Sequence, residues 1–285
     1  MKFKVMNSLI SILRNKLAIF SVVVSMFVVA CATNAITGRR QLSLVPESQL
    51  QQMAQTEYRS FLSQNSVVPS SQSKDAEMVK RVGSRIASAV TKYYQGQGLA
   101  GELENYQWEY NLVNDKSVNA WCMPGGKIVV YTGLLPVAQN EAALGVVVGH
   151  EVAHAIAKHG SERMSQGLVQ QLGGVALSVA LSSKAAETQN LFMQAYGVGS
   201  NVFGVLPHSR KQELEADRLG LIYTALAGYN PREAVPLWER MEKLSNGQKP
   251  PEFLSTHPAE QTRINQLNAH MAEALKYYKP VGTSR

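Results

Sequence analysis

Cysteine is nearly missing from this chain: there are two, Cys31 and Cys122, in 285 residues. A disulfide framework is thereby excluded, and if Cys31 is consumed by modification no intramolecular disulfide can form, even in an oxidising compartment. Cys122 then stands alone between Trp121 and Met123 and reads as a packed apolar residue, not a nucleophile. Membrane-length apolar runs are scarce too: the run at residues 17–30 has 14 residues, short of the ~20 that cross a bilayer. There is no internal repeat, which sets aside a solenoid. Nor is there a real excess of charge. The net +7 includes Lys2, Lys4, Arg14 and Lys16, with no acid among the first 30 residues, so the remainder carries +3 and gives no argument for nucleic acid.

What is present begins with those four positives, followed by the apolar run and the junction Val28-Val29-Ala30-Cys31. This is the form of a secretory signal. A small residue directly before a cysteine also resembles the bacterial lipobox, which implies cleavage before Cys31 and lipidation of its sulfur. A plain signal cut nearby and an uncleaved anchor are the other readings, because no charge follows until Arg39. By analogy with lipoprotein sorting in Gram-negative bacteria, Ala32 after the cysteine, where Asp could stand, favours the outer membrane. The rest of the chain is long enough to bury a sizeable core.

Periodicity places a helix over 46–62, with Leu50, Met53, Ala54, Tyr58 and Phe61 on one face, and a second from Asp75 through Met78, Val79, Val82, Ile86 and Val90. Residues 63–73, rich in Ser, Gln and Asn with Pro69, read as a loop. Alternation predicts strands at 106–113 and 127–132, the latter introduced by Pro124-Gly125-Gly126. Asn140 is a cap and Gly160 a stop for a helix between them. Residues 165–207 have two readings. They are a helical cover or flap over a cleft, or, for the apolar stretch 168–181, a buried core helix, the preferred one.

The helix from Asn140 carries His150-Glu151-Val152-Ala153-His154. Histidines four apart differ by about 40° around a helix, so both imidazoles point at one spot, and Glu151, about 100° from His150, flanks it. Alone, the pattern could be an ordinary amphipathic helix. As HExxH, it is the arrangement of a zinc peptidase, in which the metal makes a water nucleophilic and the glutamate takes its proton.

Such a site needs a third protein ligand and an open fourth position. In the extended pattern HExxHxxGxxH the third histidine would fall at Gly160, and Ala157 stands where a glycine belongs, so that version is excluded. His159 lies about 180° from His150 on a continuous helix and would face away, near the helix C-terminus and its dipole. A later stretch, Ser209-Arg-Lys-Gln-Glu213-Leu-Glu215-Ala-Asp217, offers carboxylates. Glu213 and Asp217 share a face, whereas Glu215 points about 200° away from Glu213. Glu213 is the ligand candidate and Asp217 the candidate to accept the free N–H of a ligand histidine. Without HExxH upstream, the same stretch would read as a solvated charged face.

HEVAH, SRKQELEAD and Ser255-Thr256-His257-Pro258 with Arg263-Ile264 together resemble one family of zinc metallopeptidases. That family includes the CAAX prenyl protease, the HtpX heat-shock protease, the mitochondrial protease Oma and periplasmic members such as BepA and LoiP. The tracts at 119–127 and 228–231 also fit, so the likeness spans about residues 75–275. It implies that Glu213 is the third ligand of one Zn2+ per chain. It implies an α+β, mostly helical, zincin-like metallopeptidase domain at 75–285, with a small sheet and an active-site HExxH helix. Before it lie a lipoprotein-type signal at 1–30 and a tether with an N-terminal helix at 31–74. The chain lacks clear spans around the site and the helical-repeat tail of the BepA type, so it resembles a compact, lipid-anchored member.

The implied reaction is endopeptidase cleavage of misfolded or unassembled envelope proteins in the periplasm, with Glu151 as general base. The strand 127–131 is a candidate edge for pairing with an extended substrate. His257 has three readings: a fourth zinc ligand at rest, an oxyanion donor, or a capping or packing residue. Arg210 and Arg263 are oxyanion candidates that read more readily as ion-pair partners, and His208 and His270 as surface histidines. The competing function is a lipid-anchored envelope chaperone or scaffold with a structural zinc. An intact Glu151 argues against it, since a structural site needs no carboxylate between the histidines.

Overall fold

Asn34 and Gly38 shape the first turn of the folded chain. The Asn34 carboxamide accepts from the backbone N–H of Ile36 and Thr37 at 2.9 and 3.0 Å, and Gly38 takes φ +70°. This closes an antiparallel hairpin of β1 (Cys31–Thr33) and β2 (Arg40–Leu42). The structure, a computed structural model, describes residues 31–172, 180, 183–196, 209–245, 252–257 and 261–280. The leader, most of 168–181 beyond residue 172, Gly197, Gly199, Gly204, Pro207 and His208 lie outside these.

Helix α1 (Glu47–Gln64) follows, then β3 (Val67–Val68) within the expected loop, then α2 (Lys74–Gly96), capped by Ser73. Strands β4 (Glu109–Val113), β5 (Ala120–Met123) and β6 (Lys127–Tyr131) join β3 in one sheet of order β3-β4-β6-β5. The β4–β6 pair is parallel and the other two are antiparallel. Gly125 and Gly126, at φ +77° and +82°, supply the turn between β5 and β6 that a side chain would strain.

Strand 127–131 is therefore interior, paired on both sides, and the expectation that it is an edge open to substrate is overturned. Its residues are buried throughout, as they must be in a strand covered on both faces. On one face Leu112, Ala120, Cys122, Ile128 and Val130 join a core with Val79, Val82 and Ile86 of α2. On the other, Val113, Trp121, Met123, Val129 and Tyr131 join Leu50, Ala54, Tyr58 and Phe61 of α1. Each such large apolar side chain contributes about 1.5–3 kcal/mol on burial. Helix α1 thus lies against one side of the sheet, and β3 extends the sheet itself.

The short α3 (Leu135–Ala138) leads to α4 (Glu141–Ile156), where Asn140 caps as expected, accepting from Ala143 N–H at 2.8 Å. The expected stop at Gly160 is incorrect. The helix breaks at Ala157, Lys158 turns left-handed at φ 61°, and α5 (His159–Leu172) begins at once. The Lys158 ammonium rests on Glu102 at 2.8 Å, beside a backbone angle that lysine rarely adopts. Gly160 serves packing: a Cβ there would lie 2.1 Å from the Tyr196 ring at the end of α6 (Ala185–Tyr196).

Helix α7 (Arg210–Leu226) starts from a capping box between Ser209 and Gln212. It crosses α4 closely through two glycines. A Cβ on Gly149 would come within 2.9 Å of the Gly220 carbonyl, and one on Gly220 within 2.9 Å of the His150 backbone. Helices α8 (Ala234–Ser245), α9 (Glu252–Thr256) and α10 (Gln261–Ala274) complete the described fold. Among the described residues, no helix is long and apolar enough to cross a membrane.

Candidate metal centre

The α4–α7 crossing brings the HExxH residues against the carboxylates of α7. Ligating atoms of His150, His154, Glu213 and His257, all buried, lie within 4.8 Å of one another. His150 Nε2 is 3.0 Å from His154 Nε2 and 3.2 Å from His257 Nδ1. Glu213 Oε1 is 3.3 Å from His154 Nε2 and 3.0 Å from His257 Nδ1, with Glu213 Oε2 3.6 Å from His150 Nε2. Four ligands at zinc–nitrogen and zinc–oxygen bond lengths form a tetrahedron with edges of about 3.3 Å, so these spacings fit that ion.

The protonation pattern fits as well. Asp217 Oδ1 lies 3.0 Å from His150 Nδ1. An ionised carboxylate only accepts, so Nδ1 carries the proton and Nε2 presents a bare lone pair to the centre. Burial resists ionisation of Asp217, but Arg263 and His150 outweigh it and hold the pKa below the ordinary value. Burial also holds both His150 and His154 on the neutral side, His154 strongly so. Glu213 is ionised well below the usual range: burial opposes this, and His257 and Arg263 overcome it. Two imidazoles and a carboxylate converging on one point could hold a metal cation between them.

Glu151 points into the same space. Its Oε1 is buried with no hydrogen-bond partner, 3.4 Å from His257 Nε2, and burial lifts its pKa to about 7, His257 opposing and Glu213 adding. A cavity of about 20 Å³ lies there, lined by Asn119 to Cys122 of the β5 edge, Glu151, His154, Arg163, Tyr196 and His257. That volume holds about one water.

Arg263 makes paired bonds to Asp217 at 2.7 Å, meets Glu213 Oε2 at 2.7 Å and lies 3.5 Å over the Trp238 ring. It is an ion-pair partner, in keeping with the simpler of its two sequence readings. Arg210 is exposed at the start of α7, and His270 sits 3.9 Å from Glu273, remote from the cluster. Cys122 is packed in the core, where burial pushes its thiol well above the ordinary pKa.

His159 does not face away. The break at Ala157–Lys158 carries it back, so that its Nδ1 lies 2.8 Å from His154 Nδ1 and its Nε2 2.9 Å from Glu215 Oε2. Glu215 also accepts from the Thr37 hydroxyl and the Arg39 guanidinium of the β1–β2 turn. Sequence reasoning missed both residues because it extended α4 through His159. The one signal available was a third carboxylate, Glu215, midway between Glu213 and Asp217 and off their shared face.

A family model, Peptidase family M48, matches residues 74–271. The chain belongs to peptidase family M48. This is a family of zinc metallopeptidases, and the buried His-His-Glu cluster of this member suits that cofactor. Among curated proteins, the mitochondrial metalloendopeptidase OMA1 of Arabidopsis thaliana is 40% identical over 186 residues, 64% of this chain and 36% of that protein. The OMA1 protein of Schizosaccharomyces pombe is 30% identical over 243 residues, 84% of this chain and 66% of that protein. A putative beta-barrel assembly-enhancing protease of Vibrio cholerae is 29% identical over 174 residues, 60% of this chain and 35% of that protein. The M48 chain described here thus spans about a third to two thirds of the length of these relatives.

Proposed function

We propose that this chain is an endopeptidase in which His150, His154 and Glu213 hold one zinc ion, Glu151 is the general base and Asp217 orients His150. The observation that carries this is the set of donor atoms converging at 3.0–3.6 Å beside the buried Glu151 Oε1, which accepts no hydrogen bond. Zinc, when bound, supplies Lewis acidity toward a water and a peptide carbonyl. Glu151, buried and poised near neutrality, takes the proton of the water and passes it to the leaving amine. Arg263 and Asp217 keep His150 in one tautomer throughout.

His257 is the resting fourth donor in this reading. Its Nδ1 stands where water or a carbonyl must enter, and its Nε2 faces Glu151. With a cavity of about 20 Å³, a peptide reaches the site only if the α9 segment moves. An extended substrate then lies along β5, which among the described residues pairs on one side only and borders the cavity with Ala120 to Cys122.

For the physiological setting we infer an envelope lipoprotein, a reading supported by the Val28-Val29-Ala30-Cys31 junction, whereas the OMA1 relatives are mitochondrial. Cys31 is lipidated and anchors the chain in a bacterial envelope at the outer membrane. Its substrates are misfolded or unassembled envelope proteins, a reading supported by the name of the Vibrio cholerae relative.

Zinc content and casein cleavage, measured on the full chain in detergent, test this reading. One zinc is expected in the wild type, in Glu151→Gln and in His257→Ala. Cleavage should fall about 10²–10⁴-fold in Glu151→Gln and rise in His257→Ala. Full cleavage by Glu151→Gln overturns the assignment of the base. Zinc without cleavage in every form points to a zinc-stabilised scaffold.

A further inference from the structure

The two histidines of the HExxH helix are supported by different means. His150 meets a carboxylate directly, Asp217, and that carboxylate is pinned by Arg263. His154 Nε2 lies 3.3 Å from Glu213 Oε1 within the cluster, and its other ring nitrogen, Nδ1, meets the His159 imidazole. The carboxylate on that side is one imidazole further away: His154 Nδ1 to His159 Nδ1 at 2.8 Å, then His159 Nε2 to Glu215 Oε2 at 2.9 Å. Because Glu215 only accepts, His159 donates to it from Nε2. Its Nδ1 is therefore the acceptor for His154, whose Nε2 is left to face the metal. An arginine ends this chain too, but it comes from the opposite end of the sequence.

Arg39 is not a casual surface contact. Its Nε binds Glu215, its Nη1 meets Glu162 at 2.9 Å, and its Nη2 donates to Gln41 at 2.7 Å. Thr37 donates to the second Glu215 oxygen. The turn that presents both is held by the Asn34 carboxamide and by the left-handed Gly38. The Glu215 side chain is 7% exposed and that of His159 is fully buried. The turn lies outside residues 74–271, the part matched by the family model, so the support is added to the motif-bearing region from without.

We propose that the 34–39 turn is a working part of the metal centre: Thr37 and Arg39 fix Glu215, Glu215 fixes His159, and His159 orients His154 toward zinc. This rests on His154 being a zinc ligand. His159, Glu215, Thr37 and Arg39 are positioning residues, and the N-terminal hairpin sets how tightly the metal is held.

The test is zinc affinity and release rate by competition with a chromogenic chelator on the full chain in detergent. Cobalt(II) substitution provides a second readout, through its visible bands. Partners of this kind hold about 10–100-fold of metal affinity. His159→Leu, Glu215→Gln and Arg39→Leu are expected to weaken zinc by that amount and to shift the cobalt bands. Thr37→Val should weaken zinc less, and Thr37→Ser should restore the wild-type value. Arg218→Ala, which breaks the Arg218–Glu273 pair elsewhere on α7, should change neither readout.

Zinc affinity within twofold of wild type in Glu215→Gln and Arg39→Leu, with only the metal-free melting temperature lowered, reduces the turn to a staple and overturns the proposal. If Arg39→Leu does not fold, the Thr37→Val and Thr37→Ser pair decides by the same criterion. His154→Ala separates the premise from the proposal. If it keeps wild-type zinc affinity, the ligand assignment itself is wrong, whatever the other variants do.

Discussion

Arg263 is fully enclosed by the groups it serves. Two carboxylates and an indole ring surround its guanidinium, and removal leaves Asp217 and Glu213 charged and buried without it. Arg263→Met should therefore destabilise the metal-free protein by about 3–5 kcal/mol, measured by urea denaturation in a chelator. With zinc present the loss should be smaller, because the ion takes over part of the Glu213 charge. At the same scale, Cys122 should resist a thiol reagent at pH 7 until the protein is unfolded, since burial keeps the thiol protonated. Labelling of a Cys31→Ser chain counts that thiol alone.

Single residues were largely legible. Spacing paired His150 with His154 and Glu213 with Asp217, because i, i+4 positions on a helix must share a face, and the likeness to the zinc metallopeptidases joined the two pairs in one site. His159 was not legible, because its direction depends on where α4 ends. Lysine at the left-handed position carries no local sign of a break. The side-chain contact at the break is with Glu102, 56 residues earlier in the chain.

The α4–α7 crossing depends on having no side chain at the contact. At Gly220 the obstacle to a Cβ is the His150 backbone, which no rotamer change can relieve. Gly220→Ala should push the helices apart, cost about 1–3 kcal/mol in thermal or urea denaturation, and weaken zinc by moving the segment that carries His150. Helices α1 and α2 follow from periodicity, and the start of α4 from its Asn140 cap. The order of the sheet does not, because alternation along a strand says which face is covered and nothing about which strand lies beside it. One sign was available: the unbroken run Ile128-Val129-Val130-Tyr131 belongs to a strand buried on both faces.

At the scale of the whole molecule, one ion would join α4, α7 and the α9 segment, which are far apart in the chain. Whatever binds the folded form alone stabilises it, by about 4 kcal/mol at a thousandfold excess over Kd. In a domain of this size that corresponds to a shift of about 10 °C. Thermal melting with and without a chelator should show a drop of this order, equal in wild type and Glu151→Gln and smaller in Glu213→Gln. The mixed, mostly helical fold was expected from the likeness to the zinc metallopeptidases. Close involvement of the N-terminal turn in the site was not, because nothing in residues 34–39 names a partner 176–178 positions away.

That separation has a consequence in time. A growing chain that has reached only residue 208 already contains the hairpin and both HExxH histidines, yet has no Glu213, Glu215 or Asp217 to draw them together. Contacts of such long range form slowly, after local helices and turns. The metal centre is thus a late product of folding. A nascent or stalled chain of this peptidase would carry its base and two of its ligands without a working site until the last quarter of the sequence arrives.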